Sequence, residues 1–286
     1  MNIQWFPGHM AKTRRLIGEN LSLVDLVVEL LDARAPLSSQ NPDIEDICGQ
    51  KPRLLILNKS DLADSNTNEA WQKYFADQGK TAILFDSVHS KQVKSITDTV
   101  RRLLSEQIKR QEERGMKNRP LKLMIVGIPN VGKSSFINRL AGRTAAISGD
   151  RPGVTKGKQW IRLSGGFELL DTPGVLWPKF EDEAVGLRLA FTGAIKDEIM
   201  DTETLAAKLL ETLSLRAPEA LMTRYKLPSL EFENGFETLE AVARKRGFIV
   251  SGGEPDYFRA AQIVLDEFRS SKIGKISLES PEEGQE

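Results

Sequence analysis

The chain is poor in reactive side chains: one cysteine, Cys48, and two histidines, His9 and His89, in 286 residues. A lone cysteine excludes an intramolecular disulfide, and its neighbours Ile44 and Ile47 mark it as a small buried hydrophobe rather than a nucleophile. Long apolar runs are missing too. None approaches the ~20 residues that a membrane span needs, and the opening MNIQWFPGHMAKTRR lacks the apolar stretch of a secretory signal. A cytoplasmic protein with no membrane partner is therefore expected. Net charge is also absent, with 40 Lys and Arg against 40 Asp and Glu. No overall field argues for DNA or any other polyanion, so a nucleic-acid surface must come from local clustering. What remains is an ordinary globular composition, 40% hydrophobic and 28% charged, long enough for one good-sized core and a smaller second unit.

Short apolar runs alternate with helical patterns through the first two thirds. Val24–Leu31, Arg53–Leu57, Thr81–Phe85, Leu121–Val126, Gln159–Leu163 and Phe167–Leu170 read as strands, the early ones as buried strands of a mainly parallel sheet. Met10–Leu21, Asn41–Ile47, Asn68–Gln78 and Lys133–Leu140 read as helices, and Val93–Gly115 as one long helix stopped by Gly115 with Pro120 beyond. From Leu205 the texture is helical only: Leu205–Leu215, Phe236–Arg246 and Tyr257–Phe268. The fold class expected is α/β over residues 1–199, with flanking helices, and a small all-helical unit over 200–286. The acidic tail Glu279–Glu286 is expected to fray.

Gly127-Ile-Pro-Asn-Val-Gly-Lys133-Ser134 fits the pattern G-x-x-x-x-G-K-[ST], between a strand and a helix as that pattern requires. Glycines let the N–H groups of Asn130, Val131, Gly132, Lys133, Ser134 and Ser135 curl around phosphate oxygens, and the helix N-terminus adds its positive end. Lys133 reaches the β- and γ-phosphates, and the Ser134 hydroxyl ligates magnesium. The loop alone specifies a nucleoside triphosphate, not a base.

Asn58-Lys59-Ser60-Asp61, directly after a strand, specifies guanine. The Asp61 carboxylate can accept both N1–H and the exocyclic amine, donors that adenine does not offer there. A site built on such bonds rejects the wrong ligand by roughly 10⁴-fold or more. Ser87-Val88-His89 follows the third strand, where the Val88 N–H would meet the guanine carbonyl. Asp171-Thr-Pro-Gly174 ends another strand, so Asp171 faces the metal through a water and the Gly174 N–H faces the γ-phosphate. In Asp150-Arg-Pro-Gly-Val-Thr155, Thr155 can reach magnesium when triphosphate is bound. GTP, GDP and magnesium are the expected ligands.

The guanine motif precedes the phosphate loop, the reverse of the ordinary GTPase order. The same sheet can be built by circular permutation, since chain ends often lie close together. The segment after Asp171–Gly174 then leads straight into the helical unit, so a switch released on hydrolysis would pull on a whole domain.

The opening Ile3-Gln-Trp-Phe-Pro-Gly-His-Met10, the permuted order, and Leu176-Trp-Pro-Lys-Phe180 resemble the YlqF-type circularly permuted GTPases over nearly the whole chain. The resemblance implies a bacterial or organellar factor acting late in assembly of the large ribosomal subunit, with a helical domain that contacts ribosomal RNA. It implies a hydrophobic residue, Val175, where a catalytic glutamine would stand, hence slow intrinsic hydrolysis. It also suggests potassium held by Asn130, against the plainer role of a loop-bracing asparagine. His9, on the bend after Pro7-Gly8, is the candidate to orient the attacking water, since a neutral imidazole accepts a hydrogen bond. Arg244-Lys-Arg246, Arg259, Arg269, Lys272 and Lys275, with Lys12, Arg14 and Arg15, are the candidates for phosphate contacts. A metabolic P-loop enzyme such as a kinase and a non-catalytic GTP-binding scaffold are the rival readings.

Overall fold

The computed structural model describes residues 15, 17–89, 92–116, 119–142, 159–171, 182–195 and 201–284. Its strands are β1 (Leu26–Asp32), β2 (Arg53–Asn58), β3 (Thr81–Phe85), β4 (Leu121–Gly127), β5 (Gln159–Leu163) and β6 (Phe167–Asp171). β1 is buried at every position, as a central strand covered on both faces must be. It pairs in parallel with β2 on one edge and β4 on the other. β3 extends the β2 edge in parallel, β6 joins β4 in parallel, and β5 returns antiparallel to β6. The resulting order is β3-β2-β1-β4-β6-β5. The guanine strand β2 and the phosphate strand β4 thus flank the same partner.

The helices are α1 (Pro36–Ser39), α2 (Pro42–Cys48), α3 (Ser65–Asp77), α4 (Val93–Leu103), α5 (Ser105–Glu113), α6 (Lys133–Ala141), α7 (Glu183–Phe191), α8 (Thr202–Arg216), α9 (Pro218–Tyr225), α10 (Gly235–Arg246) and α11 (Tyr257–Arg269). Successive side chains of a strand point to opposite faces. Accordingly Leu26, Val28 and Leu30 of β1 pack with Ile96 and Val100 of α4 and Phe136 of α6. Val27 joins Ile17, Ile44 and Cys48 on the other face, where Leu31 meets Trp71 and Phe75 of α3. Burial pushes the Cys48 thiol up to about 11, which suits a packing role. One core runs on from Leu189 and Phe191 of α7 into Leu205, Leu209, Val264 and Phe268 of the helical unit. No described helix is long and apolar enough to cross a membrane.

Three features depart from the sequence reading. The expected long helix is two, α4 and α5, meeting at Leu104, whose backbone leaves the helical region (φ −101°, ψ 9°) while its side chain is buried. Helices α1, α7 and α9 lie where no helix was expected; α1 opens on Pro36 and α9 on Pro218, a residue suited to a first helical position. The acidic tail does not fray over the described residues. Glu279 is 2% exposed and accepts from the Leu37 and Ser38 N–H groups at 2.8 and 2.9 Å, capping α1. Arg188 pairs with it at 3.4 Å, and Pro281–Gly284 form a 3-10 turn. Backbone bonds from Ile276 to Leu62 and from Leu278 to Arg34 seat the segment ahead of it beside the guanine motif.

Candidate functional site

The loop after β4 turns sharply at two glycines in backbone regions hostile to side chains, Gly127 (φ 153°) and Gly132 (φ 98°). A Cβ at Gly127 would lie 2.7 Å from the Leu30 carbonyl, and one at Gly132 only 2.4 Å from Nδ2 of Asn58. Gly132 is also the N-cap of α6 and has no side chain to offer. The first N–H groups of that helix therefore face a cradle that an anion fits. Lys133 folds back over the loop, donating to the carbonyls of Gly127 (3.0 Å) and Ile128 (2.7 Å). Burial pushes its ammonium down to about 8, with Asp171 opposing and Lys59 adding to the shift. Ser134 and Ser135 are half-buried on the first turn of α6, and Asp171 is buried at the end of β6. A hydroxyl and a carboxylate beside a phosphate cradle are the hard oxygen donors magnesium takes.

The guanine motif is locked to this loop. Asn58, buried, donates from Nδ2 to the Val131 carbonyl at 2.7 Å and accepts at Oδ1 from the Ser87 hydroxyl at 2.6 Å. Three separate segments are thereby fixed by one amide. Lys59 takes the left-handed conformation (φ 58°) and its Nζ meets Asp32 at 3.0 Å. Asp32, at the end of β1, also receives Nε and Nη2 of Arg34 at 2.9 and 2.8 Å. Burial alone would raise the Asp32 carboxyl, but Arg34 and Lys59 hold it well below the usual carboxylate range.

Asp61 is half-buried on the 3-10 turn Ser60–Leu62. Burial first, then the neighbouring Asp86 carboxylate, raises its pKa. Asp86, Asp61 and His89 bring ligand-type atoms within 4.8 Å of one another. The Val88 N–H, expected to meet the guanine carbonyl, donates here to Asp86 Oδ1 at 2.7 Å, as does the His89 N–H at 2.9 Å. His89 Nδ1 also meets Asp86 Oδ2 at 2.9 Å. Guanine can use the Val88 donor only if Asp86 shares or yields it.

Asn130 has a positive φ of 56°, and its amide donates to the Gly193 carbonyl at 2.8 Å. That bond braces the loop, the plainer of the two roles expected for it, and fixes the amide with Oδ1 as its remaining acceptor. His9, Thr155 and Gly174, with Val175, Lys12 and Arg14, lie outside the described residues. Arg15 pairs with Glu19 at 2.7 Å.

The carboxy-terminal basic residues divide. Arg244 pairs with Glu240 at 2.8 Å. Arg246 meets Glu267 at 3.2 Å and lies over the Tyr225 ring. Arg269 donates to the carbonyls of Phe191 and Ala190, and Arg259 lies over Phe248. Lys245, Lys272 and Lys275 are exposed. The expected phosphate-contact cluster is therefore partly committed to internal bonds, because each of these arginines found an acceptor or ring within its own unit or on α7. Sequence reasoning missed Asp32, Arg34 and Gly193, and it gave Arg269 a phosphate-contact role rather than its bonds to α7. The only signal available was an Asp-Ala-Arg run closing an apolar strand.

Residues 122–214 match the family described as 50S ribosome-binding GTPase. Ribosome biogenesis GTPase A of Bacillus cereus is 47% identical over 283 residues, covering 99% of this chain and 95% of that one. Its counterpart in Thermotoga maritima is 33% identical, covering 98% and 95%. Mitochondrial ribosome-associated GTPase 1 of Mus musculus is 35% identical over 96% of this chain and 90% of its own. Among solved structures, GDP-bound TM YlqF superposes with a TM-score of 0.68 at 30% identity, covering 94% of this chain and 100% of that one. GNP-bound YlqF from T. maritima gives 0.67 at 30%, with 95% and 99% covered. With the guanine motif, the phosphate loop and the permuted sheet in one piece, the chain is a GTPase and belongs to the ribosome biogenesis GTPase A family.

Proposed function

We propose that this GTPase acts in ribosome assembly, on a precursor of the large subunit, and that its nucleotide state governs that encounter. The observation that carries the nucleotide assignment is Asn58, which joins the guanine motif to the phosphate loop and to the Ser87–His89 turn. The cradle of α6 and Lys133 takes the phosphates, and Asp61 selects the base. Ser134 and Asp171, with Thr155 in the triphosphate state, would hold magnesium, which would supply charge neutralisation at the phosphates. His9 orients the attacking water, and contacts with ribosomal RNA bring it there, so hydrolysis is slow alone and faster on subunits. Asn130, whose Nδ2 is taken by the Gly193 carbonyl, would hold potassium through Oδ1.

The helical unit meets ribosomal RNA through its exposed lysines. The likeness to the ribosome-named relatives supports that partner. Asp61→Asn tests the pocket directly: the amide donates where the carboxylate accepted, so GTP should weaken and xanthosine triphosphate strengthen. Wild-type GTP affinity in that variant would remove Asp61 from the guanine site. Sedimentation with large-subunit precursors under GTP-analogue and GDP conditions tests the partner. Equal binding in both states removes the nucleotide dependence.

A further inference from the structure

Two chains of contact leave the nucleotide motifs and end on adjacent residues of the helical unit. The first starts at Asn130, whose amide donates to the Gly193 carbonyl at 2.8 Å. Gly193 sits just past α7 with φ 79°, and its N–H bonds the Ala190 carbonyl. The last carbonyls of a helix lack partners within it and attract cations. Here Arg269, the final residue of α11, supplies them. Its Nε donates to Phe191 at 3.1 Å and its Nη2 to Ala190 at 2.9 Å. The guanidinium lies so close to the turn that a Cβ at Gly193 would be 3.3 Å from its Nε. Arg269 thus bonds and packs against the turn whose Gly193 carbonyl meets the phosphate loop.

The second chain starts at Lys59 of the guanine motif. It meets Asp32 at 3.0 Å, Asp32 holds Arg34, and the Arg34 guanidinium lies 5.4 Å from the centre of the Phe268 ring. Arg34 is 1% exposed, a desolvated setting in which a cation over a ring counts for more than at a surface. Burial lowers the Lys59 pKa most, and Arg34 and, to a smaller extent, Arg269 add to that shift.

We propose that Phe268 and Arg269 form a positioning element of the nucleotide site, so that guanine-nucleotide affinity depends on how the end of α11 is seated. Neither residue touches the nucleotide in this reading. Arg269 acts through the Gly193 turn on Asn130, and Phe268 through Arg34 and Asp32 on Lys59. A partner that pulls α11 from the end of α7 would loosen the phosphate loop and the guanine motif together. By reciprocity, bound nucleotide would resist that pull. The proposal rests on the assignment of Gly127–Ser134 as the phosphate loop.

The test is a double-mutant cycle on the full chain, read as the dissociation constant of a fluorescent GDP. Arg269→Ala should weaken binding about fivefold, the scale of one hydrogen bond, and Asn130→Ala, which also removes the proposed potassium ligand, at least as much. The double variant should be no weaker than Asn130→Ala alone, because both changes cut one chain. Multiplication of the two effects would overturn the proposal, since that is what two unrelated losses give. Arg269→Lys keeps the charge and can reach one carbonyl, so it should recover part of the affinity. If Arg269→Ala does not fold, Arg269→Lys takes its place in the cycle with the same two outcomes. Lys133→Ala is the separate arm: unchanged GDP affinity there would discard the phosphate loop itself, whatever the cycle shows.

Discussion

The amide of Asn58 and the α-carbon of Gly132 approach so closely that a methyl group between them would stand 2.4 Å from Nδ2. That approach places the base-reading segment and the phosphate cradle in one rigid corner of the sheet, because the same Nδ2 already donates to Val131. It also carries a test. Gly132→Ala must displace Asn58 and force an alanine to φ 98°, a conformation that costs non-glycine residues about 1–3 kcal/mol. Calorimetric titration with GDP should show affinity lost by at least tenfold. Near wild-type binding would mean that Asn58 moves freely and fixes nothing.

Lys133 carries a pH dependence of its own. Its ammonium is held down near 8 by burial, and a phosphate needs it charged. Binding must therefore take up a proton once the pH exceeds about 8. Affinity for GDP should fall by up to about tenfold per pH unit from there, and Lys133→Met, weaker throughout, should show a flatter profile between pH 7 and 9. Parallel profiles for the two proteins would assign the titration elsewhere.

Glu29 gives a second pH signature, in stability rather than binding. It is 1% exposed in the middle of β1. Burial raises its carboxyl from 4.5 to about 7, against the pull of Arg53 and Lys80. The folded chain thus holds a proton that the unfolded chain releases at lower pH. Its contribution to stability is greatest below about 4.5, is lost as pH rises towards 7, and is level above that. Glu29→Gln keeps the shape without the charge. Thermal unfolding should show it gaining on the wild type between pH 5 and 8, by about 1–3 kcal/mol at the upper end. A constant offset across that range would contradict the raised pKa.

The basic residues of the helical unit separate into two kinds by experiment. Lys245 and Lys272 are exposed, whereas Arg246 is bound to Glu267. The Lys245→Ala/Lys272→Ala variant should bind ribosomal particles more weakly, with a log–log salt slope shallower by about 0.7–0.9 per lost phosphate contact. Arg246→Ala should instead lower the melting temperature. Were the arginine variant to change the salt slope and spare the melting point, the two roles would be exchanged.

The sheet was legible in the sequence because its strands are local: each apolar run from Arg53–Leu57 to Phe167–Leu170 lies within a residue or two of a strand in the structure. The phosphate and guanine motifs were legible for the same reason, since spacing within a few residues carries their chemistry. Contacts between distant segments were not. Nothing in Asn130 or Gly193 announces that one bonds the other, and Arg269 looked like a surface cation until its carbonyl partners were seen. The charged tail misled for a related reason. Glu279 resembles its acidic neighbours in sequence, yet two backbone N–H groups wait for it at the start of α1. The break at Leu104 escaped because helical periodicity continues through it, and so do the backbone bonds from Leu104 to Val100 and from Ile108 to Leu104.

The sheet order has a consequence for how the protein is made. β1 lies between β2 and β4, but on a growing chain only the β2 edge can be covered early. The other edge must wait for Leu121–Gly127, and an apolar strand with an open edge is the kind of surface that recruits wrong partners during synthesis. The guanine corner forms before the loop that completes it, and Asn58 waits for Val131. Glu279 reaches back to cap α1, so a residue made 242 positions after Leu37 fastens the start of that helix. A ribosome translating this chain should therefore present α1 without its cap until Glu279 has emerged.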